Sequence, residues 1–236
     1  RKQPMINILL NHPNFDEAWG YSEMEPYIHK EDEVLVLAFY DDSGYSSDME
    51  VFEDSFSEGQ KMYEEIVRPF RMFGLKDIQI HVVNYFDASK QEVLHQIEKA
   101  DIIYIVGRFA DWIMQRLEDL DIKNAIAGFD GVMIGVIAGG QVMLDQYEAY
   151  DEKREGLHRL EGFNLSLDYV QDTEHLSRIL DSLEVEEKPV VCMKDKGGMI
   201  VDEGYFTLLG DAFVITENEL EDVYAAYEDA KNENYW

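Results

Sequence analysis

The sequence predicts an α/β fold, with a doubly wound, mostly parallel central sheet, flanking helices and an antiparallel hairpin region near its end. Three observations lead to this prediction. Apolar runs of strand length alternate with longer segments of helical spacing between Ile6 and Gly140. Two of those runs, 34–39 and 132–137, are continuously apolar, which is typical of parallel strands covered on both faces. After Gly162, short apolar pieces separated by turn residues replace the alternation.

The first half of the chain supplies five predicted strands and the helices between them. One helix is predicted over 52–73, where Pro69 should kink or shorten it and Gly74 is typical of a C-cap. Ser89 is the predicted N-cap of a helix that ends near Ala100. Right-handed crossovers between parallel strands then place the strands in one sheet. The predicted strands are 6–10, 34–39, 78–83, 102–106 and 132–137, and further helices are predicted over 110–120 and from Ala138 or Gly139.

The second half has a different pattern. We predict a strand over 163–170, a helix over 173–183 with Thr173 as its N-cap, and a strand over 189–193. Antiparallel pieces at 199–201, 205–209 and 212–215 are joined by turns at 202–204 and 210–211. We expect residues 5–216 to form a single α/β domain. Residues 217–236 are an acidic helix and tail that packs on the domain or frays from it.

Charge dominates the composition. The chain has 236 residues, and its 50 acidic side chains against 20 basic ones give a net charge of −30. Nucleic acids and anionic membranes bind basic surfaces, so neither is an expected partner. No apolar run approaches the roughly 20 residues that cross a bilayer. The apolar fraction of 46% is enough to bury a core, which excludes a disordered chain.

The cysteine content and the N-terminus bear on location. Cys192 is the single cysteine, so an intrachain disulfide is impossible and a reducing, cytoplasmic location is expected. The residues before Met5 lack the apolar stretch of a signal peptide and are expected to be a tag remnant or the start of a fragment. The acidic loop 41–48 lacks the spacing of an EF-hand, so no metal is expected, and no cofactor either.

The most informative segment joins the predicted fifth strand to its helix. The carboxyl ends of parallel strands collect binding sites, and the fourth strand also ends there at Gly107. The segment from Gly135 to Gly139 fits Gly-x-nucleophile-x-Gly, a sharp turn that projects its central side chain outward. That central residue is Ile137, neither serine nor cysteine. The pattern predicts an elbow without a nucleophile; the alternative is a plain tight turn with no ancestral site.

Here the chain resembles the peptidase E and cyanophycinase family, serine peptidases with a class I glutamine amidotransferase-like fold. That family has a strand followed by Gly-Gly-Asn/Asp-Thr, then a strand into Gly-x-Ser-Ala-Gly-Ala, then Asp-x-His-Phe before a helix. The matching segments here are Gly107-Arg108-Phe109-Ala110, Gly135-Val136-Ile137-Ala138-Gly139-Gly140 and Leu167-Asp168-Tyr169-Val170. The resemblance covers about residues 5–215. It implies the family's fold, with the nucleophile position at Ile137, the base at Tyr169 and the second oxyanion-loop glycine at Arg108.

These replacements suggest a discarded mechanism. Serine and histidine act as a unit, and loss of either removes most of the catalytic advantage. The leading hypothesis is therefore a non-catalytic, cytoplasmic homologue that binds an unidentified peptide or acidic small ligand, with Arg108 as the anchoring charge. Two alternatives stay open, namely an active serine-type dipeptidase that uses unrecognised residues and an acidic interaction protein. The expected binding residues are Gly107, Arg108, Phe109, Gly135, Ile137, Ala138, Gly139, Tyr169 and His12.

Overall fold

A computed structural model describes residues 5–40, 48–150 and 152–233. The acidic loop 41–48 falls almost wholly outside these residues, as do residues 1–4, Asp151 and 234–236. The strands are β1 (Ile6–Leu10), β2 (Val34–Ala38), β3 (Ile80–Val82), β4 (Ile102–Gly107), β5 (Val132–Ile137), β6 (Gln146–Ala149), β7 (Glu152–Glu155), β8 (Asn164–Ser166), β9 (Val190–Asp202) and β10 (Tyr205–Ile215). The helices are α1 (Tyr21–Met24), α2 (Met49–Phe56), α3 (Lys61–Met72), α4 (Lys90–Lys99), α5 (Ala110–Asp119), α6 (Lys123–Ala127), α7 (Ala138–Gln141), α8 (Thr173–Glu184) and α9 (Leu220–Glu233).

One eight-stranded sheet organises the described chain, which is an α/β fold as predicted. Its strand order is β10-β9-β1-β5-β4-β2-β3, and β8 pairs with β9. The strands from β1 to β3 along this order are parallel, whereas β9 is antiparallel to both β1 and β10. The predicted strands do share one sheet, in which β4 lies between β2 and β5.

Alternate side chains of the central strands enter two separate cores. On β4, Ile103 and Ile105 belong to one core, whereas Tyr104 and Val106 belong to the other. The first core includes apolar residues of α4, α5 and α6, and the second includes those of α2 and α3. Burial on both faces explains why these strands have continuously apolar sequences. The parallel arrangement also places the ends of β1, β2, β4 and β5 along one edge of the sheet.

The prediction of a single helix over 52–73 is wrong, because the chain forms two helices there. Helix α2 begins after Asp48, whose side chain accepts a hydrogen bond from the Val51 amide, and it ends where Ser57 becomes extended. Helix α3 passes through Pro69 to Met72, so the proline does not end it. The buried apolar face of α3 compensates for the backbone hydrogen bond that proline removes. Gly74 has a φ of 92°, as expected of a residue that follows a helix end.

Four boundaries in the second half also differ from the prediction. The N-cap of α8 is Asp172 rather than Thr173, because the Asp172 side chain accepts from the His175 amide at 2.8 Å. The strand predicted over 163–170 shrinks to β8, and the positive φ of 48° at Asp168 follows it. The two strands predicted within 189–201 are the single strand β9, and those within 205–215 are β10. The predicted turn at 210–211 is a register irregularity inside β10.

The described chain closes with a tight hairpin and the C-terminal helix α9. The predicted turn at 202–204 is present, with positive φ values at Glu203 and Gly204 that suit a tight hairpin. Helix α9 packs on α8 through a shared apolar cluster that includes Val223 and Ala230. Helices α1 and α6 and the β6–β7 hairpin were not predicted. Among the described residues, no helix has the length and apolarity needed to cross a bilayer.

Candidate functional site

The turn between β5 and α7 has the backbone of a strained elbow. Ile137 adopts φ 52° and ψ −112°, although a β-branched residue at positive φ is a genuine outlier. Glycines make the turn possible. A Cβ atom on Gly135 would lie 2.3 Å from the Gly139 carbonyl oxygen, and one on Gly139 would lie 2.1 Å from that of Ile105. The first turn of α7 therefore packs directly against the sheet and holds Ile137 in its conformation.

A cavity of about 260 Å³ lies beside this elbow. It is bounded by the ends of β4 and β5 and by one face of α3. Most of its lining is apolar, and its polar groups are few, as in sites that bind small molecules. The lining residues are Pro13, Tyr40, Met62, Glu65, Ile66, Tyr104, Val106, Gly107, Arg108, Val136 and Ile137.

Arg108 stands at the exposed mouth of this cavity. Its guanidinium carbon lies 5.9 Å from the centroid of the Phe109 ring, which is 41% exposed. Within the described ranges, no hydrogen bond or ion pair engages its side chain. Stacking on an aromatic face leaves the guanidinium donors available to a planar anion. A carboxylate is therefore a chemically suitable partner for Arg108.

Tyr104 forms the floor of the same cavity, and sequence analysis did not identify it. Its side chain is fully buried, and its hydroxyl is without a hydrogen-bond partner in the described chain. Edge-to-face contacts with Phe15 at 6.0 Å and Phe70 at 5.2 Å hold the ring in place. Burial raises the pKa of the hydroxyl well above its ordinary value, so Tyr104 is neutral. The detectable signal was a polar-tipped side chain within an otherwise aliphatic strand.

The site residues predicted from the sequence are only partly brought together. Gly107, Arg108 and Ile137 line the cavity. Phe109 lies at its edge beneath Arg108. The other elbow residues contribute backbone rather than lining: Gly135, Ala138 and Gly139 are buried beneath the turn.

Tyr169 lies outside the cavity lining and packs elsewhere. Its ring makes edge-to-face contacts with His175 at 5.9 Å and with Phe213 at 5.3 Å, in the cluster shared by α8 and β9. Burial raises the pKa of its hydroxyl. The preceding residue, Asp168, accepts a hydrogen bond from Asn11 Nδ2 at 2.8 Å. That bond joins the Tyr169 segment to the end of β1, which pairs with β5 beside the elbow, but Tyr169 itself is not among the residues that line the cavity.

His12 also lies outside the cavity lining. Its Nδ1 atom accepts a hydrogen bond from the Asn14 amide at 3.1 Å, and its Nε2 atom is 3.9 Å from an Asp195 oxygen. Both contacts hold the loop that follows β1. In this position His12 stabilises local structure.

Other groups that could carry chemistry are engaged in structural contacts. His175 Nδ1 is 2.9 Å from Asp172 Oδ1, and hydrogen bonds from the His175 backbone amide and side chain lower the pKa of Asp172. Burial raises the pKa of the Cys192 thiol to about 12, which keeps it protonated. Within residues 5–40, 48–150 and 152–233, no serine or cysteine is hydrogen-bonded to a histidine, and no metal-binding cluster occurs. The exposed carboxylate of Glu148 pairs with Arg178 at 3.4 Å.

Comparison with known proteins identifies the fold. No protein-family model matches the chain, and no curated protein matches it either. The structure is similar to a crystal structure from Listeria monocytogenes EGD-e that is named as a candidate peptidase E protein, with a TM-score of 0.60 and 13% sequence identity. The match covers 87% of this chain and 98% of that one. The chain therefore has a peptidase E-like fold.

Proposed function

We propose that this chain is a non-catalytic peptidase E-like protein that binds a small ligand in the cavity beside Ile137. The observation that carries the proposal is the elbow itself. The turn keeps the strained conformation, φ 52° and ψ −112°, that presents a nucleophile in hydrolases, but its side chain has no lone pair. Strain of about 1–3 kcal/mol persists only when the surrounding structure over-determines it.

The residues around the elbow support the absence of catalysis. A serine nucleophile needs a base within hydrogen-bond reach, and the cavity lining contains no histidine. Tyr169, at the base position implied by the resemblance, is held against Phe213 instead. Arg108 brings a bulky cation to the loop where backbone amides would stabilise an oxyanion. Replacements at all three positions that the resemblance implies are better explained by loss of the reaction than by a variant of it.

The cavity supports a binding role. Its volume of about 260 Å³ is close to the lower end of small-molecule sites, roughly 300 Å³. Apolar walls with an unpaired Arg108 at the mouth can desolvate a ligand and fix its orientation. The net charge of −30 supports the further proposal that nucleic acid is not a partner. The single, buried Cys192 supports a location in the cytoplasm.

The test of catalytic inactivity uses a fluorophosphonate probe and a panel of Asp-x dipeptides. We expect no labelling and no hydrolysis under conditions that label and assay an active serine hydrolase run in parallel. The probe reports any activated serine, including one in residues 41–47, so it does not depend on the alignment with the family. Stoichiometric labelling of any serine would establish the alternative, an active hydrolase of this fold.

A further inference from the structure

Among the arginines that the structure describes, Arg108 is the one whose side chain has no hydrogen-bond or ion-pair partner. Acidic side chains outnumber basic ones by 50 to 20, so exposed cations readily find carboxylates. Four other arginines do so: Arg68 with Asp16, Arg71 with Glu64 and Asp77, Arg154 with Glu152, and Arg178 with Glu148 and Glu174. Arg108 instead lies over the Phe109 ring and is an exposed residue of the cavity lining. A free guanidinium at a cavity mouth is suited to an anion brought by a ligand.

Tyr104 is a fully buried residue of the cavity lining, and its hydroxyl has no hydrogen-bond partner in the described chain. Buried polar atoms are almost always paired, and an unpaired one has lost its hydration without compensation. A bound ligand with a hydroxyl or carbonyl group at its far end would supply the missing partner. Between this floor and the mouth, the walls are the apolar side chains of Ile66, Val106 and Ile137.

From these three features we infer the ligand class of the cavity, an inference that rests on the proposed function. The ligand is a small monocarboxylate with an apolar body and one further polar group at its distal end. Its carboxylate pairs with Arg108, its body fills the apolar section, and its distal group bonds to the Tyr104 hydroxyl. The fully buried floor limits the occupant to a small molecule.

Other groups that face the cavity fit this assignment. Glu65 on α3 is the acidic group of the lining, and its carboxylate is paired with Lys61 Nζ at 3.7 Å. That pairing reduces its repulsion of an incoming carboxylate. Tyr40, just after β2, contributes a second aromatic ring, and besides burial the nearby Tyr40 and Asp16 raise the pKa of the Tyr104 hydroxyl. A neutral distal group on the ligand is therefore favoured over a charged one.

Calorimetric titration with four matched compounds tests the assignment on the full chain. The probes are 3-(4-hydroxyphenyl)propanoate, 3-phenylpropanoate and the primary amides of both. We expect 3-(4-hydroxyphenyl)propanoate to bind with a Kd of about 0.1–1 mM, and its amide about tenfold more weakly. Removal of the distal hydroxyl should weaken binding about three- to fivefold, because the Tyr104 hydroxyl then stays unpaired.

Two variants assign each preference to its residue. In Arg108→Gln the acid should lose about tenfold in affinity and bind no better than the amide, whereas Arg154→Gln, with the same change in charge, should leave both unchanged. In Tyr104→Phe the two acids should bind equally, and Tyr205→Phe, at an exposed site, should preserve their difference. Tyr104→Phe should also melt no lower than the wild type without ligand, because it deletes an unpaired buried hydroxyl.

The outcomes separate this inference from the proposed function. Equal binding of acid and amide to the wild type would overturn the carboxylate assignment and leave a non-catalytic binding protein. A lack of binding by all four compounds up to about 10 mM would overturn the ligand class. Labelling by the fluorophosphonate probe would instead overturn the proposed function, whatever the four affinities.

Discussion

At the scale of single residues, Ile137 shows how the fold overrides local preference. Isoleucine strongly avoids positive φ, yet its position between β5 and α7 leaves no other conformation. Gly135 and Gly139 allow the strand and helix to approach so closely that the turn cannot relax. The Ile137 side chain offsets part of this backbone strain, because it packs against the core beneath α2 and α3.

Glycine should suit this position better than alanine. Ile137→Ala and Ile137→Gly both remove the side-chain contacts, but only glycine adopts the observed φ and ψ without strain. We expect Ile137→Gly to be more stable than Ile137→Ala by about 1–2 kcal/mol, measured by denaturant unfolding. At Ile134, which lies in regular strand, the order should be reversed. There Ile134→Gly should be less stable than Ile134→Ala by about 0.5–1 kcal/mol. Equal stabilities at position 137 would mean that the turn relaxes.

Introducing a hydroxyl at the elbow should not create catalytic activity. Ile137→Ser places a nucleophile beside the cavity, but no histidine lines that cavity to take its proton. We expect no measurable kcat/KM on Asp-x dipeptides, with folding checked by thermal melt. The double variant Ile137→Ser with Arg108→Gly, which also clears the oxyanion side, should remain inactive for the same reason. Turnover by the single variant would reveal a base and an oxyanion site outside the residues named above.

At the scale of elements, the end of α3 is secured by an ion-pair cluster before the chain enters β3. Arg71, in the last turn of α3, donates from Nε to Asp77 Oδ1 at 2.7 Å and also pairs with Glu64. These bonds from Arg71 hold the pKa of Asp77 below its ordinary value. The cluster fixes where α3 ends, and α3 supplies one wall of the cavity.

This cluster predicts a pH-dependent contribution to stability. A carboxylate with a lowered pKa in the folded state adds stability above its unfolded pKa of about 3.9, and this stability is lost as the pH falls through the folded value. Asp77→Asn should therefore be less stable than the wild type at pH 7, by up to about 1 kcal/mol for a partly exposed pair. The difference should shrink below about pH 4 in denaturant titrations. Asp54→Asn, on α2, serves as the control and should show no pH-dependent loss of stability. If the stability difference between Asp77→Asn and the wild type did not change with pH, the proposed role of the Asp77 charge would be wrong.

At the scale of the whole molecule, charge repulsion opposes folding. The net charge of −30 is spread over one folded chain, and its like charges interact across the surface when salt is scarce. Salt bridges offset part of this charge repulsion, but 20 basic groups cannot pair with all 50 acidic ones. The compact state is therefore expected to depend on ionic strength.

Thermal melts at two salt concentrations test this dependence. Raising sodium chloride from about 10 to 150 mM shortens the Debye length from about 30 to 8 Å and should raise the Tm, because repulsion is screened more than close pairs are. Sucrose at matched osmolality serves as a control for effects other than screening. A Tm that falls with salt would show that ion pairs, rather than repulsion, dominate the electrostatics.

The fold and the elbow could be read from the sequence because their signals are local. Continuous apolar runs identify strands buried on both faces, and the glycines around Ile137 identify a turn where backbone must approach backbone. Helix boundaries were less predictable. The break between α2 and α3 lies within one amphipathic stretch, where the apolar spacing continues although the backbone at Ser57 does not.

The make-up of the cavity depended on tertiary structure. In the sequence Tyr104 looks like any other residue of a buried strand, and only the packing of α3 over the ends of β4 and β5 makes it part of a cavity lining. The resemblance implies a base at Tyr169, but Asn11 holds the neighbouring Asp168, and the Tyr169 ring packs against Phe213 and His175. The physical reason is that periodicity reports which face of an element is buried, whereas contact between distant segments depends on how complete elements pack.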